Sequence, residues 1–255
     1  MDHPATKISV IGLKKSFGAK EVLRGIDLEI LAGESLVVLG GSGAGKSVFL
    51  KHLIGLLSPD EGHVVVDDVD ITLAAPSTAI ELRKRFGMSF QEGALFDSMT
   101  VFDNVAFPLV RHASLDADGI AGRVRQCLAL VRLEGIEGKY PAELSGGMRR
   151  RVGFARAIAL QPEILLFDEP TTGLDPINTA AIANVINRMR RELTVTAVTI
   201  THDMGLAFRI ADRLAMIRRG VIVGLGTPEE FRSNPDPYIQ AFLRGDVPED
   251  EEASL

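Results

Sequence analysis

The stretch GGSGAGKS, Gly40 to Ser47, constrains this chain more than any other part of it. It matches G-x-x-x-x-G-K-[ST] and stands between SLVVLG, which reads as a strand, and VFLKHLIGLL, which reads as a helix, as a phosphate loop requires. Glycines let such a loop wrap until backbone N–H groups point at phosphate oxygens. The cradle then comprises Gly40, Gly41, Ser42, Gly43, Ala44, Gly45, Lys46, Ser47 and Val48. Lys46 can reach the β- and γ-phosphates, and Ser47 can bind Mg²⁺.

The rest of the chain alternates in the same manner. ISVIGL, IDLEI, HVVVDDVDI and a short MSF read as strands. From about Phe102 to Ala159 the pattern turns helical, with almost no strand signal. Then EILLFDEP reads as a buried strand, PINTAAIANVINRMRREL as a helix, VTAVTIT as a strand and DMGLAFRIA as a helix. RLAMIRRGVIVGLG reads as a hairpin turning at Arg219-Gly220. Strand–helix alternation at both ends argues for an α/β sheet, with the helical middle inserted into it.

Two further places carry chemistry. ILLFDE ends an apolar run in Asp168 and Glu169, and two acids there are costly unless something cationic meets them. Mg²⁺ does so: Asp168 would hold the metal, and Glu169 could orient and deprotonate an attacking water. The second place is LSGGMRRRVGFARA. Ser145, Gly146 and Gly147 open a helix there, which reads either as a plain cap with a glycine turn or as a second anion cradle.

Bulk composition narrows the class. With 46% hydrophobic and 24% charged residues over 255 positions, there is material for a substantial core. The net charge of −6 gives no electrostatic footprint for nucleic acid. One cysteine, Cys127, permits no disulfide within the chain and reads as a core thiol. No stretch reaches the roughly 18 uncharged apolar residues of a membrane span, and no secretory signal is visible, so a cytosolic protein is expected.

GGSGAGKS, Gln91 in SFQEGALF, LSGGM, ILLFDEP, TTGLDP and Thr201-His202-Asp203 follow one another in the order and at the separations that mark one family. Together they resemble the ATPase subunits of ABC transporters, over roughly Lys7 to Thr227. The resemblance implies a P-loop α/β core with an antiparallel β region at the N-terminus and an inserted helical subdomain. It places the ATPase domain at 7–244, the helical subdomain at about 92–158 and an acidic, disordered tail at 245–255, where five acids stand without a base. It further implies ATP and Mg²⁺ as ligands and head-to-tail homodimers. In these, Ser145, Gly146 and Gly147 of one copy close over the γ-phosphate held by the other. Gln91 would sense the metal and the attacking water, and His202 would contact the γ-phosphate. Asp175 would cross the dimer interface, and Phe17 would stack on adenine. Lys46, Glu169, His202 and Gln91 are thus the catalytic set, and Ser47, Gln91 and Asp168 the metal set. Met148 stands where many members have Gln, which leaves the anion-binding part intact.

LSGGMRRRVGFARAIALQPEILLFDEPTTGLDP and FQEGALFDSMTVFDNVAFPL look most like the Mla-type members. These drive phospholipid or other lipid transport across the Gram-negative envelope. The implied partners are a membrane permease, an MCE-domain protein and, in some systems, a small STAS-domain protein. The implied place is the cytoplasmic face of the inner membrane. Residues 93–96 and 101–109 read either as a groove for a permease helix or as packing of the insertion. A different solute, or a non-transport ATPase acting on nucleic acid, are the alternatives, and the acidic net charge weighs against the latter. In DPYIQAFLRG, Tyr238, Ile239, Phe242 and Leu243 share a helical face, which either docks on its own domain or clasps a partner.

Overall fold

The computed structural model describes residues 5–246. β1 (Thr6–Phe17) and β2 (Lys20–Leu31) form a long antiparallel pair, from Thr6 opposite Leu31 to Phe17 opposite Lys20. β3 (Ser35–Leu39) is buried throughout and runs into the glycine-rich loop and α1 (Lys46–Leu53). β4 (Glu61–Val66) and β5 (Val69–Asp70) complete a four-stranded sheet of order β2-β1-β4-β5.

After α2 (Pro76–Lys84) comes β6 (Phe86–Ser89), then α3 (Val101–His112), α4 (Ala117–Leu130) and α5 (Gly146–Ala157). β7 (Ile164–Asp168), α6 (Pro176–Leu193), β8 (Thr196–Ile200), α7 (Met204–Ile210) and β9 (Arg213–Arg218) follow. β10 (Val221–Gly226), α8 (Pro228–Arg232) and α9 (Pro237–Arg244) close the described chain. The second sheet has the order β10-β9-β3-β8-β7-β6, parallel from β9 to β6, with β10 antiparallel at one edge. β6 and β7 pair directly, with Ser89 opposite Phe167, although the segment between them holds α3, α4 and α5. That segment is the expected helical insertion.

Side-chain alternation splits the core in two, because successive strand residues face opposite sides of the sheet. Leu36 and Val38, Ile164 and Leu166, Val198 and Ile200, Ala215 and Ile217 face one side. There they pack with Phe49, Leu50 and Leu53 of α1 and with the antiparallel sheet. Val37 and Leu39, Leu165 and Phe167, Leu214 and Met216 face the other side, against the helices of the insertion and α6 and α7. Each buried Leu, Ile or Phe contributes about 1.5–3 kcal/mol of transfer free energy, so both layers contribute to holding the sheet between them.

Several local expectations are corrected. The helix after the loop ends at Leu53, not at Leu57. Gly55 turns left-handed (φ 66°) and tucks against Ile71, where a Cβ would meet Ile71 Cδ1 at 2.8 Å. The run 63–71 is a tight hairpin, not one strand, because Asp67 adopts φ 50°. α2 and α8 lie where the pattern indicated no element; in α2 only Ala79 and Leu82 are buried, too few to show a period. The turn at Arg219-Gly220 is as expected, with both residues at positive φ between paired Arg218 and Val221. Cys127 is buried, and burial pushes its thiol up to about 11. α9 docks on its own domain, with Ile239 fully buried and Tyr238 nearly so. Of the acidic tail, 247–255 lie outside the described residues.

Candidate active site

The carboxyl ends of β3, β8, β7 and β6 meet along one edge, which is where ligands bind in open α/β sheets. Val38 pairs with Ile200, Ile200 with Asp168, and Phe167 with Ser89. The glycine-rich loop, Thr201-His202, Asp168-Glu169 and the Gln91 turn therefore all emerge side by side.

The loop's glycines are dictated by contact as well as by conformation. Gly45 sits at φ 102°, and a Cβ there would lie 2.9 Å from Leu23 Cδ2 and 3.0 Å from Val22 O. A Cβ on Gly40 would lie 2.4 Å from Ile217 O. The loop is thus pressed onto β2 and β9, and its backbone has one course to follow.

Lys46 is 8% exposed, and its ammonium donates to Gly40 O (2.8 Å) and Gly41 O (3.1 Å), with Glu169 Oε1 at 3.4 Å. Ser47 Oγ donates to Asp168 Oδ1 at 3.2 Å. Burial raises the Asp168 carboxyl, the Ser47 hydroxyl opposes that shift, and the neighbouring Glu169 charge adds to it. A carboxylate under such pressure is one that a cation would relieve. Ser47 and Asp168 offer hard oxygens in the small number that Mg²⁺ takes from protein when phosphates supply the rest. Among the described residues no group of three or more His, Cys, Asp or Glu forms a fuller metal cage.

Glu169 leaves β7 with a left-handed backbone (φ 46°), and its side chain turns back between two partners. Oε1 faces Lys46, while Oε2 lies 2.9 Å from His202 Nδ1 and accepts the His202 backbone N–H at 3.3 Å. A carboxylate held on one side by an ammonium and on the other by an imidazole is oriented for proton transfer. Thr171 Oγ1 donates to Asp203 Oδ2 at 3.0 Å, and Asp203 takes the N–H of Leu206 as the cap of α7. This bond ties the loop after Glu169 to the loop carrying His202. Thr171 and Asp203 lie inside the TTGLDP and THD motifs, two residues after Glu169 and next to His202, and carry no role that the motifs alone reveal.

The other sequence candidates fall into three positions. Gln91 is exposed in a 3-10 turn (Gln91–Gly93) on the same edge, with no described hydrogen bond to Asp168 or Glu169. Phe17 is 49% exposed at the tip of the β1–β2 hairpin, whose β2 packs on Gly45, and Lys15 Nζ lies 5.7 Å from its ring. Ser145, Gly146 and Gly147 stand apart at the start of α5. Ser145 Oγ accepts the Met148 N–H at 3.3 Å, and no described hydrogen bond links these residues to Gly40–Ser47. Their neighbour is the start of α6: Asn178 Oδ1 lies 3.7 Å from where a Gly147 Cβ would stand. There Asp175 accepts the N–H groups of Ile177 and Asn178, each at 2.9 Å. One chain therefore assembles Lys46, Ser47, Asp168, Glu169 and His202, and presents Ser145–Gly147 with Asp175 elsewhere.

The family model described as ABC transporter matches residues 23–172. The probable ribonucleotide transport ATP-binding protein mkl of Mycobacterium tuberculosis is 44% identical over 238 residues. That match covers 93% of this chain and 66% of the relative, so the chain spans just under two thirds of its length. MlaF, the intermembrane phospholipid transport system ATP-binding protein, is 39% identical in Escherichia coli, covering 89% of this chain and 85% of that protein. Its Haemophilus influenzae counterpart is 38% identical, covering 94% and 90%. Among solved structures, cbiO1 from Clostridium perfringens, part of the ABC transporter complex cbiONQ, superposes with a TM-score of 0.83 at 29% identity, covering 94% of this chain and 95% of that one. The dimeric bacterial ABC transporter cassette MJ0796 gives 0.80 at 28%, covering 86% and 98%. Motif order, sheet topology and these likenesses agree: the chain belongs to the ABC transporter family, whose ATPase core its two sheets and inserted helices reproduce.

Proposed function

We propose that this chain hydrolyses ATP with Mg²⁺ as a head-to-tail homodimer that drives an integral membrane permease, and that the cargo is phospholipid moved between the inner and outer membranes. The observation that carries the catalytic part is Glu169, held between Lys46 and His202 one residue after Asp168 on Ser47. The loop N–H groups and Lys46 bind the β- and γ-phosphates, and Phe17 supplies a π face for the adenine. Ser47, Asp168 and Gln91 would hold Mg²⁺, which when bound offsets phosphate charge. Glu169 takes a proton from the attacking water as its oxygen bonds to the γ-phosphorus, and ADP and phosphate separate. His202 orients Glu169 and contacts the γ-phosphate.

The separation of Ser145–Gly147 and Asp175 from this constellation supports a composite site. The helix N-terminus is an anion cradle with no described hydrogen bond to the phosphate loop of its own chain. The dimeric cassettes among the related structures support the same arrangement. A permease is supported by an apolar groove of about 360 Å³ between β6 and the insertion, lined by Phe90, Phe96, Phe107, Pro108 and Leu160. Among the described residues no helix is long and apolar enough to cross a membrane, so attachment through that groove to the cytoplasmic face is the route we assign.

Phospholipid as cargo, with an MCE-domain partner and a STAS-domain subunit, rests on the MlaF relatives at 38–39% identity. The name of the mycobacterial relative at 44% favours a second reading, a ribonucleotide. Affinity purification from native membrane in mild detergent, with mass spectrometry of proteins and lipids, separates them. A permease with an MCE-domain protein and bound phospholipid supports the first. A permease with a nucleotide-binding protein, or no membrane protein, overturns it.

A further inference from the structure

The helix that carries the second cradle also grips the Gln91 turn. Gly153, in the middle of α5, packs directly on Gly93: a Cβ on Gly153 would lie 2.9 Å from Gly93 Cα, and one on Gly93 would lie 2.8 Å from Arg149 O. Three residues after Gly153, on the same face of the helix, Arg156 reaches over this contact. Its Nη2 donates to Gly93 O (2.9 Å) and to Ala94 O (2.8 Å), and its guanidinium carbon lies 5.7 Å from the Phe96 ring centroid. Arg156 makes no ion pair among the described residues, so its charge is spent on two backbone carbonyls and a ring.

The backbone it holds is a strained one. Ala94 is a non-glycine residue at φ 44°, a conformation that persists only where surroundings impose it. Beyond it, Phe96 is fixed by fully buried Asn104, which donates to Phe96 O (3.1 Å) and accepts the Phe96 N–H (2.8 Å). The Phe96 ring stands against Phe107 of α3, 4.8 Å between centroids, in the apolar groove. The turn is thus pinned at Gly93, Ala94 and Phe96, and Gln91 lies two residues before the first pin, just beyond the end of β6, which pairs with β7.

We infer that Arg156 is a positioning residue for Gln91: by bonding both Gly93 O and Ala94 O through Nη2 it sets where the Gln91 side chain stands relative to the phosphate site. The inference rests on the catalytic role proposed above for Gln91. Both bonds leave from Nη2. Lysine keeps the charge, but its side chain is one atom shorter and stops short of the point from which Nη2 reaches both carbonyls, so the conservative replacement is itself informative.

The test is a double-mutant cycle on the full chain, with steady-state ATP hydrolysis, Mg²⁺ titration and thermal melts. Arg156→Lys and Arg156→Gln should each lower kcat about ten-fold, leave KM for ATP within two-fold and raise the Mg²⁺ concentration needed for half-activation. In a Gln91→Ala background, itself slow, Arg156→Lys should lower kcat no further. Multiplicative losses in the double variant would overturn the inference, as would parental kcat for both Arg156 variants. A fall in melting temperature with kcat and KM moving together would also overturn it, by marking a merely structural role. If Gln91→Ala alone keeps the parental kcat while Arg156→Lys does not, the role of Gln91 itself fails, and this outcome is distinct from the others.

Discussion

The two phosphate cradles of this chain are built on opposite plans. The loop at Gly40–Ser47 is wedged between β2 and β9, and its lysine, serine and two neighbouring carboxylates already bond to one another. The cradle at Ser145–Gly147 is little more than a helix start. Ser145 caps the helix, while Gly146 and Gly147 meet no other atom closer than 3.7 Å to a Cβ position. The first is preorganised by its own fold, and the second is a half-exposed helix start. The contrast fits a site of which each chain supplies two different halves.

The largest effect that tests this contrast is expected at Glu169. Glu169→Gln should cut steady-state hydrolysis by about 10²-fold or more, with nucleotide binding retained and an ATP-dependent dimer accumulating in size-exclusion chromatography. Activity equal to the parent would remove Glu169 from the chemistry.

The two glycines then separate the cradles. Gly45→Ala forces a Cβ at φ 102° into Leu23 and Val22, and should cost about 1–3 kcal/mol of stability together with ATP binding. Gly147→Ala, in the Glu169→Gln background, should keep the melting temperature and ATP binding, since its Cβ has room, yet lose the ATP-dependent dimer. If both variants melt alike, or if Gly147→Ala still dimerises, the division into a rigid half and an open half is wrong.

A smaller effect concerns acid. His52 lies in α1, directly after the first cradle, 1% exposed, with Nδ1 2.7 Å from Val48 O. Burial lowers its pKa below 6.5, and the Lys15 charge acts in the same sense. The unfolded chain therefore binds the proton first as pH falls. Stability is full above pH 6.5 and declines below it, toward the lower folded value. Denaturant midpoints at pH 7.5, 6.5 and 5.5 should show the decline, and His52→Gln should flatten it. A slope unchanged in the variant would assign it elsewhere.

The smallest effect is expected far from both cradles. Lys7 of β1 and Arg85, just before β6, share Glu163 and Asp67, which joins the two sheets. The Arg85 guanidinium holds the Glu163 carboxyl at about 2, so this contribution is present above pH 4.5 and fades toward pH 2. Glu163 is 47% exposed, so Glu163→Gln should cost about 1 kcal/mol or less at neutral pH, with hydrolysis unchanged. Below pH 4.5 the melts of variant and parent should converge. A loss of hydrolysis would show that this joint reaches the site.

Much of this was legible in the sequence, for identifiable reasons. β3, β7 and β8 are short β-rich runs buried throughout, and α6 carries its cap Asp175 and Pro176 at its start. Lys46, Ser47, Asp168, Glu169 and His202 each lie in a short motif, so their nearness follows once the strands are in order. The run 63–71 misled because residues 64–66 and 69–71 are strand-like on both sides of the Asp67-Asp68 turn. The helix Pro76–Lys84 was invisible because it buries too little to show a period. Arg156 carried no signal of its own, since it acts on carbonyls some sixty residues away, and Asn104 carried none because it acts on carbonyls four to eight residues before it without a motif. The one available hint was Gly153, a glycine in a helix interior, which often marks a close backbone approach.

What the sequence by itself determined is chemistry that local backbone geometry can encode: a phosphate loop, two acids at a strand end, a capped glycine helix and a hairpin turn. Its motif order then named the family. What only the tertiary structure decided is which of these meet. The Gly93–Gly153 contact joins residues sixty positions apart, and the gap between the two cradles is set by how α5 packs across the sheet. Short-range sterics fix a motif's shape. Long-range packing of two apolar layers fixes its neighbours, and no spacing along the chain records that.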